Sequence, residues 1–302
     1  MSNDLSDMRV RVPASTSNLG SGFDVLGLGL GMYLDLSLEL DTGAIEVLST
    51  GEGADKLPTD ESNLIAQLIL EHAPQLRARG FRVRTHSDIP LTRGFGSSAS
   101  AIVGALALMQ LATKGAIDRQ EILQISTALE GHPDNVSASI YGGLTISASL
   151  ESGVTTHPVR IPETLQIVAL VPDREVSTSA ARAALPSSYE RHEVVFNLQR
   201  LGQLLAGLYE GNLEMIAAGL NDRLHQSYRC GLLPPMAEAI DAMKKVDGCV
   251  GAFVSGAGPA IVAFASHNAE QIGDAGKSLF QAAGIDAFTR IVAPDYQGVT
   301  QR

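Results

Sequence analysis

Tryptophan is absent from this chain and cysteine nearly so, Cys230 and Cys249 being the only two. Two thiols build no disulfide framework, and these lack the paired spacing of a zinc site, so both read as ordinary reduced cysteines. Long hydrophobic runs are missing as well: no apolar stretch approaches the roughly 20 residues that span a bilayer. Met1 to Arg9 is polar and acidic where a secretory signal would be basic and then apolar. The expectation is a cytoplasmic protein with no membrane partner. Positive charge is scarce too, with 22 Lys and Arg against 33 Asp and Glu and a formal net charge of −11. A nucleic-acid backbone would meet a repulsive average field with no basic run to offset it, which argues against nucleic acid as a partner.

Hydrophobic residues make up 45% of the 302 and charged residues 18%, enough apolar material for two ordinary globular domains. The most informative stretch is Pro90, Leu91, Thr92, Arg93, Gly94, Phe95, Gly96, Ser97, Ser98, Ala99 and Ser100, which runs straight into the apolar segment Ala101 to Leu111. Glycines let backbone N–H groups approach a ligand, and a helix starting behind them adds unpaired donors and a positive dipole end. That arrangement holds phosphate, with Ser97 and Ser98 at the N-cap position and Arg93 beside the loop. The same residues also fit a Gly/Ser-rich turn that merely joins a strand to a buried helix. Gly94 to Ala99 formally satisfies the G-x-G-x-x-G/A dinucleotide pattern, but Ser87 to Arg93 is not the hydrophobic strand that pattern needs. Gly276-Lys277-Ser278 completes half of a Walker A loop, yet Gln271 stands where its first glycine belongs, so this is read as part of a surface helix.

Along the chain, Arg9 to Val12 predicts a short strand entering a loop, Pro13 to Gly22, followed by the apolar segment Val25 to Leu30. Leu34 to Leu40 alternates with period 2, a strand with one buried face. Ser62 to Leu76 has helical spacing with Ser62 as its cap, Phe81 to Thr85 is strand-like, and Arg119 to Glu130 is a second helix after the one behind the glycine loop. The proline and glycine of Glu130-Gly-His-Pro-Asp-Asn135 then place Glu130, His132, Asp134 and Asn135 on a turn, before a strand at Gly143 to Ala148. The second half opens with the strand Gln166 to Val171, continues through a long helical region from Val194 to Tyr228, and ends in two apolar strands around Ser255-Gly-Ala-Gly-Pro259. The expected division is residues 1–165 and 166–302, in an α+β or α/β pattern.

Three glycine-bearing segments in this order, Pro13 to Gly31, Pro90 to Ser100 and Ser255 to Pro259, resemble the three motifs of the GHMP small-molecule kinases. Pro13 to Asp24 and Glu130 to Asn135 look like the versions carried by the homoserine kinase branch. The resemblance covers nearly the whole chain. It implies a two-domain α+β fold, the N-terminal domain like domain 2 of ribosomal protein S5 and the C-terminal one ferredoxin-like, with the active site between them. The N-terminal fold would include a left-handed βαβ crossover, against the general handedness rule. The implied activity is ATP-dependent phosphorylation of the side-chain hydroxyl of L-homoserine to O-phospho-L-homoserine, a step towards threonine. Rival readings are a GHMP kinase with another acceptor, such as mevalonate or shikimate, and a catalytically silent binding homologue. The resemblance is also compatible with a homodimer.

By the same resemblance, residues 90–100 would cradle ATP, Ser98 and Glu130 would hold Mg²⁺, and Asn63 would approach the adenine. An amino-acid acceptor carries an ammonium and a carboxylate, so its pocket should offer a carboxylate and an arginine fork at separate ends. Asp24 is the candidate for the ammonium; Arg182, with Thr178 one helical turn before it, and Arg229 are the candidates for the carboxylate. Asn18, His132 and Asn135 would line the same pocket. Ser98, Glu130 and Arg182 would carry the chemistry, with no obvious general base. Taken one at a time these residues have blander readings: Glu130 as a solvated helix-end carboxylate, the arginines as surface ion pairs, and His132 beside Asp134 as a structural, metal or catalytic pair. Two departures from the branch stand out, Thr92 where glycine is commoner and Ala260 where threonine or serine is usual.

Overall fold

The computed structural model of the protein describes residues 8–302; residues 1–7, on which the reading of the N-terminal segment largely rests, lie outside the described residues. The first sheet is built on two long antiparallel strands, β1 (Met8–Ser17) and β2 (Leu26–Leu40). β1 runs past Val12 through the segment expected as loop, with a bulge between Pro13 and Ala14. Its small polar residues hid it: Ser15, Thr16 and Ser17 are all buried, and the hydroxyls of all three are hydrogen-bonded. β2 joins two segments that periodicity separates. Leu34 to Leu40 alternates because one face is partly wet, whereas Leu26 to Leu30 is buried on both faces and shows no alternation.

β3 (Ile45–Gly51) returns through α1 (Leu64–His72) to β4 (Phe81–Ser87), and β3 and β4 form a parallel pair in an otherwise antiparallel sheet. Asn63, not Ser62, caps α1, accepting from the Ile65 amide. α1 stops at His72 because a short 3-10 turn from Pro74 to Ala78 takes over. α2 (Ser97–Lys114) and α3 (Arg119–Glu130) follow, and then α4 (Asp134–Tyr141) starts where a turn was expected, directly behind Pro133. The hairpin β5 (Leu144–Leu150) and β6 (Gly153–Val159) completes this part of the sheet by pairing with the first residues of β2.

The second sheet begins with β7 (Gln166–Pro172). The expected long helical region is four helices, α5 (Thr178–Ala183), α6 (Arg191–Glu210), α7 (Leu213–Gly219) and α8 (Gln226–Cys230), the break after α6 falling at the left-handed Gly211. α9 (Pro235–Lys244), β8 (Cys249–Val254), β9 (Ile261–Ala265), α10 (Ala269–Ala282) and β10 (Ala287–Val292) follow. The order β10-β7-β9-β8, all antiparallel, is that of a ferredoxin-like sheet. Gly276 lies in α10, packed against Leu170 and Met243, with Lys277 and Ser278 towards solvent. The chain then comes back to the first sheet, where β11 (Thr300–Gln301) pairs with β1.

One continuous core ties the two sheets, with Leu28 and Leu30 in the same cluster as Ile167, Phe253, Phe264 and Leu220. Among the described residues no helix is long and apolar enough to cross a membrane. Both cysteines are free, and burial pushes the Cys230 thiol up to about 11.

The position of α4 depends on Gly27 in β2, where a Cβ would lie 1.9 Å from the Asp134 carbonyl oxygen. Gly27→Ala is therefore expected to lower stability by about 1–3 kcal/mol through overpacking, read as a lower urea midpoint at an unchanged m-value. An unshifted midpoint would show that α4 is not seated on this strand.

Candidate active site

The three glycine-bearing segments meet where β1, the start of α2 and the β8–β9 turn converge. Ser255 donates its hydroxyl to the Gly94 carbonyl (2.7 Å), Ala260 donates its amide to the Arg93 carbonyl (3.1 Å), and the Gly256 amide reaches the Ser17 carbonyl (3.3 Å). Gly94 must be glycine here: its φ is +91° and a Cβ would sit 2.1 Å from the Ser255 oxygen. Gly96, at φ +64°, caps α2, and a Cβ there would press on Ser15 and Asn135. Ser97 and Ser98 are consequently first-turn residues rather than caps. Their amides and that of Ala99 have no intrahelical acceptor, and the dipole of an 18-residue helix stands behind them.

These residues border a cavity of about 110 Å³ that also gathers Asn18, Asp24, Glu130, His132, Asn135, Thr178, Arg182 and Arg229. Thr92, Gly94, Gly96, Ser97, Ser98 and Ala99 complete the expected set on its rim. Pro90, Leu91, Arg93, Phe95 and Ser100 do not line it. Arg93 spends its charge elsewhere, on Asp173 (2.9 Å), Glu175 (3.4 Å) and the Pro172 carbonyl, linking the loop to the second sheet. Phe95 is a core residue, and Ser100 donates to the Pro13 and Gly96 carbonyls from full burial. Leu91 and Asn63 line a second cavity of about 380 Å³, more apolar, that shares Thr92, Ser97 and Ser98 with the first. Both ends of the Asn63 amide are engaged, with Ile65 and Pro58. Thr92 adopts φ +55°, a conformation that favours glycine.

At one end of the first cavity Asp24 and Arg182 form a bidentate pair at 2.8 and 3.2 Å, which holds the Arg182 guanidinium above its ordinary value. Arg229 is 3% exposed; burial and then the nearby Arg182 charge lower its pKa, and its Nε has no hydrogen-bond partner among the described residues. His132 Nδ1 lies 2.7 Å from Asp134, while its Nε2 is buried and equally unpartnered. Burial opposes the charged imidazole, but the Asp134 hydrogen bond and charge outweigh it, so the His132 pKa is raised. Asp134, also opposed by burial, is held below the ordinary carboxylate range by His132 and the Asn135 amide. Glu130 ends α3 with its carboxylate unpaired among the described residues. Asp24, His132 and Asp134 offer ligand atoms within 4.8 Å of one another, but Asp24 already serves Arg182.

Sequence reasoning missed the supports of this constellation. Asn18, Leu19, Gly20 and Asp24 all have positive φ, and the loop they make is held from the second half of the chain. Ser21 donates to the Gly219 carbonyl (2.7 Å), and His225 Nε2 donates to the Gly20 carbonyl (2.8 Å). A carbonyl only accepts and a guanidinium only donates, so His225 Nδ1 is the acceptor for Arg229 and the ring is neutral; burial lowers its pKa accordingly. Phe23 stacks on His225 at 5.1 Å, and the Arg229 guanidinium lies over the same Phe23 ring at 5.3 Å. The four-residue spacing of His225 and Arg229 was the one legible signal of that link.

Residues 63–143 match the GHMP kinases N terminal domain and residues 204–282 match GHMP kinases C terminal. The chain is 36% identical over 297 residues to a homoserine kinase of Desulfitobacterium hafniense, covering 96% of this chain and 98% of that one. It is 38% identical over 278 residues to a homoserine kinase of Caldanaerobacter subterraneus, covering 90% and 88%. The crystal structure of homoserine kinase from Cytophaga hutchinsonii superposes with a TM-score of 0.86 at 26% identity, covering 100% of this chain and 99% of that one. Fold and sequence agree: the chain belongs to the GHMP kinase family, in its homoserine kinase branch.

Proposed function

We propose that this chain transfers the terminal phosphoryl group of ATP to the side-chain hydroxyl of L-homoserine, with the acceptor in the polar cavity and the nucleoside in the more apolar one beside it. The observation that carries this reading is the pair of orphaned donors, Arg229 Nε and His132 Nε2, beside the Asp24–Arg182 ion pair. A buried guanidinium without its full set of acceptors is costly, and a ligand carboxylate relieves it. An α-amino acid presents both signs of charge on one carbon. Inserted at the Asp24–Arg182 pair, its ammonium replaces Arg182 at Asp24 and its carboxylate takes Arg182, Arg229 and Thr178. Mevalonate and shikimate have no ammonium to satisfy Asp24.

Asn135 fixes the other end of the acceptor. It accepts from Ser15 (3.0 Å), donates to Ser17 (2.9 Å) and adjoins Gly96, so a hydroxyl beside it faces the amides that would hold the transferred phosphate. The free oxygens of Ser98 and Glu130 suit a hard cation, and Mg²⁺ held there would neutralise charge on the terminal phosphates. His132 with a raised pKa is a donor to substrate oxygen rather than a base, and Asp134 is enclosed by its partners. We infer that no side chain removes the hydroxyl proton, which passes to the phosphoryl group while alignment and electrostatics supply the acceleration.

A coupled ADP-release assay with L-homoserine, L-threonine, mevalonate and shikimate, with and without Mg²⁺, is expected to give turnover with homoserine and metal alone; turnover on mevalonate or shikimate would refute the acceptor assignment. In that assay Arg182→Ala should raise KM for homoserine about 10- to 100-fold by removing charged hydrogen bonds. Glu130→Ala should instead lower kcat at least about 100-fold. Small, equal effects from both would refute the division of roles.

The His132 pKa is raised above 6.5, so its contribution to stability and binding is fully present below that value and is lost as pH rises through the raised one. kcat/KM should therefore fall on that alkaline limb. His132→Gln, which keeps a neutral donor, should flatten it; an unchanged limb in this variant would assign the titration to another group.

A further inference from the structure

Arg229 forms part of the wall of the acceptor cavity, and the residue that aims it, His225, does not line that cavity. The imidazole is fully buried and spans two partners: Nε2 donates to the Gly20 carbonyl (2.8 Å) and Nδ1 accepts from Arg229 Nη1 (3.3 Å). The second hydrogen of Nη1 goes to the Gly256 carbonyl (2.7 Å). Both donors of that nitrogen are thereby spent. The edge formed by Nε and Nη2 remains for a ligand, and Nε has no partner among the described residues. A guanidinium is planar with its five donors fixed relative to one another, so pinning Nη1 determines where the remaining edge points.

Asp222 is the competing partner for the ring, and it is already engaged. Its buried carboxylate accepts from the amides of Leu224 (3.0 Å), His225 (2.9 Å) and Gln226 (2.7 Å) and from the Asn197 side chain (2.9 Å). It stands 3.7 Å from Nε2, beyond hydrogen-bond reach. Asp222 therefore anchors the backbone of His225 at the start of α8 and leaves the ring to Gly20 and Arg229. Phe23 stacks on that ring at 5.1 Å and 19°, with the guanidinium groups of Arg229 and Arg182 over Phe23 at 5.3 and 5.8 Å. Other side-chain types fail at position 225 for definite reasons. A carboxylate would neutralise Arg229 before a ligand arrived, and a lysine would add a cation beside Arg182 and Arg229. An apolar side chain would leave the Gly20 carbonyl and Arg229 Nη1 short of a partner.

We propose that His225 is a positioning residue that sets the preference of this enzyme for an acceptor bearing a carboxylate. It never touches the acceptor; it holds Arg229 so that the edge formed by Nε and Nη2 meets two carboxylate oxygens side by side. The proposal rests on the reading of the acceptor as an amino acid and adds the residue that makes one end of its pocket selective. Because the ring is neutral, it aims the Arg229 charge without cancelling it.

Asparagine and glutamine separate the two bonds of the ring. The side-chain amide of asparagine ends near the place of Nδ1 and that of glutamine near the place of Nε2. His225→Asn thus keeps an acceptor for Arg229 and loses the bond to Gly20, whereas His225→Gln does the reverse. The test is steady-state kinetics of the full chain with ATP, Mg²⁺ and either L-homoserine or L-homoserinamide, in which a neutral amide replaces the carboxylate. The unsubstituted enzyme should favour homoserine over the amide about 100-fold in kcat/KM. His225→Gln should raise KM for homoserine about tenfold, leave KM for ATP unchanged and cut that preference about tenfold. His225→Asn should retain the preference, whatever it loses in kcat, and far-UV circular dichroism checks that both variants fold. In an Arg229→Gln background, adding His225→Gln should cost nothing further. A preference lost in His225→Asn and kept in His225→Gln, an equal loss with both acceptors, or a further loss in the Arg229→Gln background would make His225 a support of the loop alone and overturn the proposal. An unsubstituted enzyme that does not prefer homoserine to the amide would refute the amino-acid reading itself.

Discussion

The hydrogen bond from the Ser255 hydroxyl to the Gly94 carbonyl is the point on which the site depends. It joins a turn of the second sheet to the loop that starts α2, and Ser255 reaches it only because Gly94 has no side chain to intervene. The Gly256 carbonyl then takes donors from both Asn18 and Arg229, so the same turn fixes the acceptor loop and the deepest arginine. In the proposed reading the amides at the start of α2 would hold phosphate, while the acceptor would be held by Asp24 from the β1–β2 loop and by Arg182 and Arg229 from the second half of the chain. Phosphoryl transfer demands alignment of two ligands more than any covalent help, and this junction sets their spacing.

Electrostatics sharpen the same design. The chain carries a formal net charge of −11, yet the cavity bordered by Gly96 and Ser98 holds two arginines. Arg93, the cation nearest in sequence to the glycine loop, is neutralised by Asp173 and Glu175 on the far side. Negative charge at the loop must therefore be met by helix amides and by whatever the oxygens of Ser98 and Glu130 hold. In the proposed reading Arg182 and Arg229 serve the acceptor instead. His225 keeps that division in place: it is uncharged, so it orients Arg229 without adding a third cation to a crowded, poorly solvated corner.

Much of this was legible from residue types and spacing. The three glycine-bearing segments, the start of α2 near Ser97, α3 ending at Glu130 and the Thr178–Arg182 spacing are local features, and local sequence encodes them. What was hidden depends on distant partners. Ser15, Thr16 and Ser17 read as loop because nothing nearby reveals that Asn135 and Ser255, more than a hundred residues on, satisfy their hydroxyls inside a sheet. α4 was taken for a turn because Pro133 breaks a helix but equally well begins one. Arg93 looked like a phosphate ligand because position along the chain does not show which way a side chain leaves the loop.

α6 shows the same limit from the opposite direction. Its one buried amide, Asn197, donates to the Ser21 carbonyl and to Asp222 and accepts from the Arg223 amide, holding the acceptor loop and the approach to α8 together. Val195, Leu198 and Tyr209 are exposed on its outer face. Asn197 lies among the inward Leu204 and Leu208, and apolar side chains also stand outward, so the pattern by which a surface helix is usually oriented from sequence is blurred. Inside, the loop from Asn18 to Asp24 presents the Gly20 and Ser21 carbonyls to the second half of the chain, where His225 and Asn197 meet them.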